Sequence, residues 1–209
     1  MNADSTYDSK TPAVEPLTDF IIWVDGVGGF LICSGLHNKI GQAIPDSEVT
    51  IPLRGDLDRV HAEIETVQDR HLLHPIGTVS VDGSQLQEPT VLLHGQTIQL
   101  GRTVAIGYRK PHPLSSTAVL DFVSRHRTFP WSDAALIAGD SIVLGSQSRN
   151  HIVCPRWDEE LILFRRQNQW LCKTKATVFL DGSPLKADSI LQGKSRVVGD
   201  DFSFSIEAI

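Results

Sequence analysis

The chain has 209 residues, 41% hydrophobic and 21% charged, an ordinary globular composition that is long for one β-sandwich and comfortable for two units of about 90 to 100 residues. Its formal net charge of −6, with no Lys/Arg run and no aromatic–basic interleaving read in the sequence, leaves nucleic acid out as an expected partner. The longest apolar run, Phe20 to Val24, is too short to cross a bilayer, and the polar N-terminus lacks the basic-then-apolar layout of a signal peptide. A cytoplasmic protein without membrane insertion is expected.

Residues 1–17 are polar, carry two prolines and show no period, so they are expected to form a disordered tail in which Thr11-Pro12 offers a phosphorylation site. From Thr18 onward short apolar runs are broken at regular intervals by Gly, Pro, Asn and Asp, the pattern of a sandwich or barrel. Gly26-Val27-Gly28-Gly29 leads straight into Phe30-Leu31-Ile32-Cys33 with no helix and no Lys-Ser/Thr, so it reads as a hairpin turn rather than a phosphate loop. Asp56 to Val67 has some helical feel, yet His61-Ala62-Glu63-Ile64-Glu65-Thr66 alternates equally well as a strand. Arg54-Gly55-Asp56 is read as a chance tripeptide. His71 and His74 share a strand-like segment in which a spacing of three puts them on opposite faces, which disfavours a metal site. Cys33, Cys154 and Cys172 lack CxxC spacing and are expected to be reduced and half-buried, so neither metal nor cofactor is expected. Val79 and Val81 alternate around Ser80, and Ile98 and Leu100 around Gln99, as in strands with one face on a core. Residues 111–116, rich in Pro and Ser, suit a linker. Beyond it, His61, an aspartate and Ser141 invite a protease triad, but Ser141 runs directly into Ile142-Val143-Leu144, a buried-strand pattern with no exposed nucleophile turn. Catalysis is not expected.

An internal repeat organises these segments. Val81-Asp82-Gly83-Ser84-Gln85-Leu86 returns as Leu180-Asp181-Gly182-Ser183-Pro184-Leu185. Lys39-Ile40-Gly41 with Val49 to Pro52 is answered by Val143-Leu144-Gly145 with Ile152 to Pro155, and Thr18 to Ile21 by Thr117 to Leu120. The offsets stay between 99 and 104 residues, as expected for two copies of one fold that differ by small loop changes.

In the first copy the order is Ile40-Gly41-Gln42, then Val49 to Pro52, then Asp58 to Ile64, then Val81-Asp82-Gly83, then Leu93 to Gly101. This layout resembles the forkhead-associated (FHA) family, and the second copy keeps its rhythm and its Asp-Gly turn. The resemblance implies an all-β fold of two tandem FHA-like β-sandwiches of about eleven strands each, over 18–110 and 117–209. It also implies peptide-binding loops at one end of a sandwich. The family pattern supplies an Arg after the Gly, a Ser three residues before a His, and an Asn before a Gly. Here those places hold Gln42, Asp58 and Asp82, while Arg59, His61 and Gly83 fit. A phosphothreonine carries close to −2 charge and calls for cationic donors, so a carboxylate at Asp58 opposes it. Arg59, Lys39 and Arg54 are near enough in sequence to offset part of that. In the second copy Ser146, Trp157, Glu160 and Asp181 occupy the corresponding places.

The resulting expectation is a phosphorylation-independent adaptor or scaffold that binds another protein. The alternative is a phosphothreonine reader working through the first copy. A third reading has a phosphorylated Thr6 or Thr11 of the tail docking on a domain.

Overall fold

The computed structural model describes residues 18–112 and 115–209; the tail, with Thr6, Thr11 and Pro12, and part of the linker lie outside the described residues. The described chain is all β, with 21 strands. The first half holds β1 (Phe20–Val24), β2 (Gly28–Cys33), β3 (His37–Gln42), β4 (Ile51–Leu53), β5 (Ala62–Val67), β6 (Arg70–Pro75), β7 (Val79–Val81), β8 (Ser84–Gln85), β9 (Thr90–Val91), β10 (Thr97–Leu100) and β11 (Val104–Arg109). The second holds β12 (Ala118–Phe122), β13 (Ala134–Ile137), β14 (Ser141–Gly145), β15 (Ile152–Val153), β16 (Leu161–Arg166), β17 (Gln169–Thr174), β18 (Phe179–Leu180), β19 (Ser183–Pro184), β20 (Arg196–Val198) and β21 (Ser203–Ala208). The stretch with helical feel is thus a loop followed by strand β5.

Three sheets result. One has twelve strands in the order β19-β18-β20-β21-β1-β2-β13-β12-β11-β10-β7-β8; the others are β4-β3-β5-β6-β9 and β15-β14-β16-β17. The order of the long sheet is palindromic under the sequence repeat. β1 and β12, β2 and β13, β7 and β18, and β11 and β21 occupy mirrored places, and the two halves meet where β2 and β13 pair in parallel.

The strands flanking that junction are exchanged. β1 pairs with β21 at the far end of the chain, and β11 pairs with β12 across the expected linker. Each half therefore contributes its first hairpin to the sheet of the other. The four central strands are buried on both faces. Phe20, Ile22, Val24, Ile32, Val119, Ala134 and Leu136 pack beneath the four-stranded sheet, while Ile21, Leu31, Cys33, Ala118, Leu120, Phe122, Ala135 and Ile137 pack beneath the five-stranded one. Burial on both faces is why Phe20 to Val24 and Ala134 to Ile137 read as unbroken apolar runs, where one-sided strands such as β7 and β10 alternate.

All three cysteines are free and fully buried, deeper than the half-burial expected. Burial pushes the Cys154 and Cys172 thiols up to about 12 and raises Cys33 well above its ordinary value, with the Asp19 charge adding to it. These thiols are protonated packing groups in the folded chain. His71 is buried on β6, its Nδ1 2.7 Å from the Tyr108 hydroxyl, while His74 faces the other way and pairs with Glu65. His151 lies in the second core, where its Nδ1 accepts the Val143 N–H at 2.9 Å.

Candidate functional site

β3 and β4 run parallel, with Gln42 opposite Leu53, so the β3–β4 and β4–β5 connections open at the same end of the five-stranded sheet. β6 ends at Pro75 opposite Ala62, which brings residues 76–78 to that end as well. His61 ties the three connections together. Its N–H donates to the Ile40 carbonyl (2.8 Å), and its carbonyl accepts from Ile76 N–H (3.1 Å) and Gly77 N–H (2.8 Å). Its ring donates from Nε2 to the Thr78 carbonyl at 3.0 Å, and its Nδ1 lies 3.2 Å from the Asp58 backbone N and 3.0 Å from Asp58 Oδ2. The ring is buried and so orders the loops rather than facing a ligand.

Two glycines permit this closeness. A Cβ on Gly77 would lie 2.5 Å from His61 Cε1 and overlap the Asp58 carboxylate. A Cβ on Gly41 would overlap the Arg59 carbonyl and come 2.8 Å from its carbon, so only glycine lets β3 run under the β4–β5 loop, where Gln42 N–H donates to the Asp58 carbonyl at 3.0 Å.

Of the six residues singled out, Gln42, Asp58, Arg59 and His61 gather here, with Gln42, Asp58 and Arg59 exposed. Asp82 and Gly83 do not. They form the β7–β8 turn, at the opposite end of β7 from Thr78 and so about 10 Å or more away along the strand. Both have positive φ (49° and 81°), and Asp82 Oδ1 accepts the Thr97 N–H at 2.9 Å. Asp181 and Gly182 repeat the arrangement with φ of 50° and 80° and a 2.7 Å bond from Arg196 N–H. The recurring Asp-Gly pair is thus a hairpin device, with Asp as the side chain that tolerates this region and caps the neighbouring strand. The residue-before-glycine position beside His61 is Ile76, an exposed apolar side chain that the sequence reading passed over.

The expected compensating cations are dispersed. Lys39 pairs with Glu48 at 3.3 Å, and Arg54 turns away to stack on Phe129, its Cζ 4.4 Å from the ring centroid. Arg59 is the cation left at the loop mouth.

At the corresponding end of the second half a buried tryptophan stands where the first half has the exposed Asp58. Trp157 is buried and stacks on Phe202 with centroids 4.4 Å apart, and Glu160 lies against Gly145. Arg149 and Arg156 are exposed near it.

A second feature was missed outright. The β12–β13 connection runs antiparallel along the outer edge of β4, with Leu53 bridged to Thr128, Phe129 N–H donating to the Pro52 carbonyl at 2.9 Å and Arg54 N–H to the Arg127 carbonyl at 3.1 Å. It frames a cavity of about 430 Å³ lined by Arg54, Arg125, His126, Arg127, Thr128, Phe129 and Trp131. Arg125-His126-Arg127-Thr128-Phe129-Pro130-Trp131 is an aromatic–basic interleaving, which corrects the reading that the chain has none. Two arginines and a histidine over seven residues vanish in a net charge of −6.

The fold is thus an all-β assembly in which the β3–β4, β4–β5 and β6–β7 connections gather at one end of the five-stranded sheet. Residues 38–101 match the model of the FHA domain, a protein–protein interaction module that often binds phosphothreonine. The match runs from β3 through β10 and leaves out β1 and β2, the strands that join the far half of the long sheet. Comparison with curated proteins gives no match.

Proposed function

We propose that the chain is a non-catalytic, cytoplasmic adaptor or scaffold that binds a protein partner without reading phosphothreonine. It is built from an FHA-like unit over 18–110, a linker over 111–116 and a second, more divergent FHA-like unit over 117–209. The second unit is supported by the repeat at 99 to 104 residues and by the palindromic strand order. The observation that carries the functional reading is the exposed Asp58 carboxylate at the loop mouth, 3.0 Å from His61 Nδ1, beside a neutral Gln42. A phosphate about 4 to 5 Å from that carboxylate is opposed by roughly 2 to 7 kcal/mol, toward the lower end because Asp58 is open to water. Gln42 cannot supply the bidentate cationic fork that an arginine offers. No helix among the described residues is long and apolar enough to cross a membrane.

The second reading, a phosphothreonine-peptide reader, is favoured by Arg59, an exposed cation at the same loop mouth. The two are separated by titrating the full chain with a degenerate phosphothreonine peptide library, its unphosphorylated counterpart and the Arg59→Ala variant. The adaptor reading expects no difference between libraries. Micromolar binding that needs the phosphate and disappears in Arg59→Ala overturns it.

A further inference from the structure

We infer that the Arg-lined cavity beside β4 is a second binding site of this chain, one that takes an acidic peptide segment carrying an apolar residue next to its charges; this rests on the protein-interaction reading above. The cavity concentrates positive charge on a protein whose formal net charge is −6. Among the described residues, none of Arg54, Arg125 and Arg127 is ion-paired with a carboxylate. Two of these guanidiniums lie over exposed rings, Arg54 at 4.4 Å from the Phe129 centroid and Arg127 at 5.7 Å from that of Trp131. A guanidinium stacked on a ring keeps its N–H edge free to grip a carboxylate or phosphate, and stacking limits the motion lost on binding. Arg127 is further held by donating from Nη1 to the Ser124 and His126 carbonyls at 2.9 and 2.8 Å, while its Nε is buried without a hydrogen-bond partner. Phe129 and Trp131, 55% and 57% exposed, stand on the same short loop, an open apolar surface that neither core covers. Paired apolar rings and unpaired arginines are the side chains enriched where interfaces draw their energy.

Carboxylates and phosphate esters share the charge that this site recognises, so the test carries both. Fluorescein-labelled peptides with four glutamates around a central leucine, the same peptide with phosphoserine in place of two glutamates, and its glutamine analogue are titrated into the full chain, with a thymidine oligonucleotide as a further arm. Binding of the acidic peptide is expected to weaken at least tenfold with glutamine, to fall as salt rises, and to weaken at least tenfold in Arg54→Ala/Arg125→Ala, both exposed positions. Arg59→Ala, at the loop mouth, should leave it unchanged. Trp131→Phe should keep most of the binding while losing the tryptophan fluorescence change on titration. Binding of the glutamate peptide within a few fold of the phosphoserine peptide supports an acidic segment; binding of the phosphoserine peptide alone overturns it in favour of a phosphate site. Absence of acidic-peptide binding, or loss of it in Arg59→Ala but not in the double variant, overturns the inference while leaving the phosphothreonine test of the loop mouth unaffected. Tighter binding of the oligonucleotide than of either peptide overturns it in favour of nucleic acid.

Discussion

Cutting the chain at residue 110 tests the strand exchange directly. In the intact protein Phe20, Ile22, Val24, Phe30 and Ile32 of the first hairpin pack under the sheet of the second half. A fragment of residues 18–110 removes that cover, and it also leaves β11 without β12. The hairpin can fall back onto β11, in the place that β12 vacates, but only one of its faces is then buried. Five large apolar side chains remain in water, at about 1.5 to 3 kcal/mol each, or roughly 8 to 15 kcal/mol together. That equals the whole stability of a typical domain, about 5 to 15 kcal/mol. The fragment is therefore expected either to fail to fold or to associate through the bared face and the open β11 edge. Light scattering after gel filtration, with urea unfolding of fragment and full chain in parallel, reads the outcome. A monodisperse monomer of the fragment with a cooperative urea transition would refute the sharing of hairpins between halves.

Gly41→Ala should destabilise the chain by about 1–3 kcal/mol, toward the upper end because the contact is with Arg59 backbone rather than a movable side chain, as read by urea melts. His71 and His151 are each held at about 4 in the folded chain, chiefly by burial, with Lys110 for His71 and His112 and Arg109 for His151 pushing the same way. Their folded values lie below the ordinary 6.5, so between these pH values the unfolded chain binds more protons and stability falls on acidification by roughly 1.4 kcal/mol per pH unit for each histidine. Urea midpoints measured from pH 7 to pH 4.5 should fall, and His151→Gln should flatten the slope; a flat profile in the parent chain would contradict neutral burial.

Much of the fold was legible in single residues. The alternation at Val79–Val81 and Ile98–Leu100 gave real strands with one buried face, and Asp82-Gly83 and Asp181-Gly182 gave matching turns. The exchange was not legible, because β1 and β12 carry the same pattern and pairing preference alone does not say which of them lies on β11. The unbroken apolar runs of β1 and β13 were the available sign, since a strand covered on one side has no need of them. At the site, Gln42, Asp58, Arg59 and His61 lie together around one set of loops, whereas Asp82 lies at the other end of β7, because an Asp-Gly turn satisfies the letter pattern wherever it lies. The cavity beside β4 joins residues more than seventy positions apart, Arg54 and Arg127, and only the β4 edge pairing unites them.

The most direct test of the adaptor reading is to repair the loop mouth. In Gln42→Arg/Asp58→Ser an arginine replaces a neutral amide and the opposing carboxylate is gone, so phosphate-dependent binding to the phosphothreonine library should emerge at least tenfold above the parent chain, as a charge-assisted pair of about 1.5 to 3 kcal/mol implies. If the parent chain already binds the phosphorylated library and the repaired variant binds it no better, Asp58 does not oppose phosphate and the adaptor reading is contradicted.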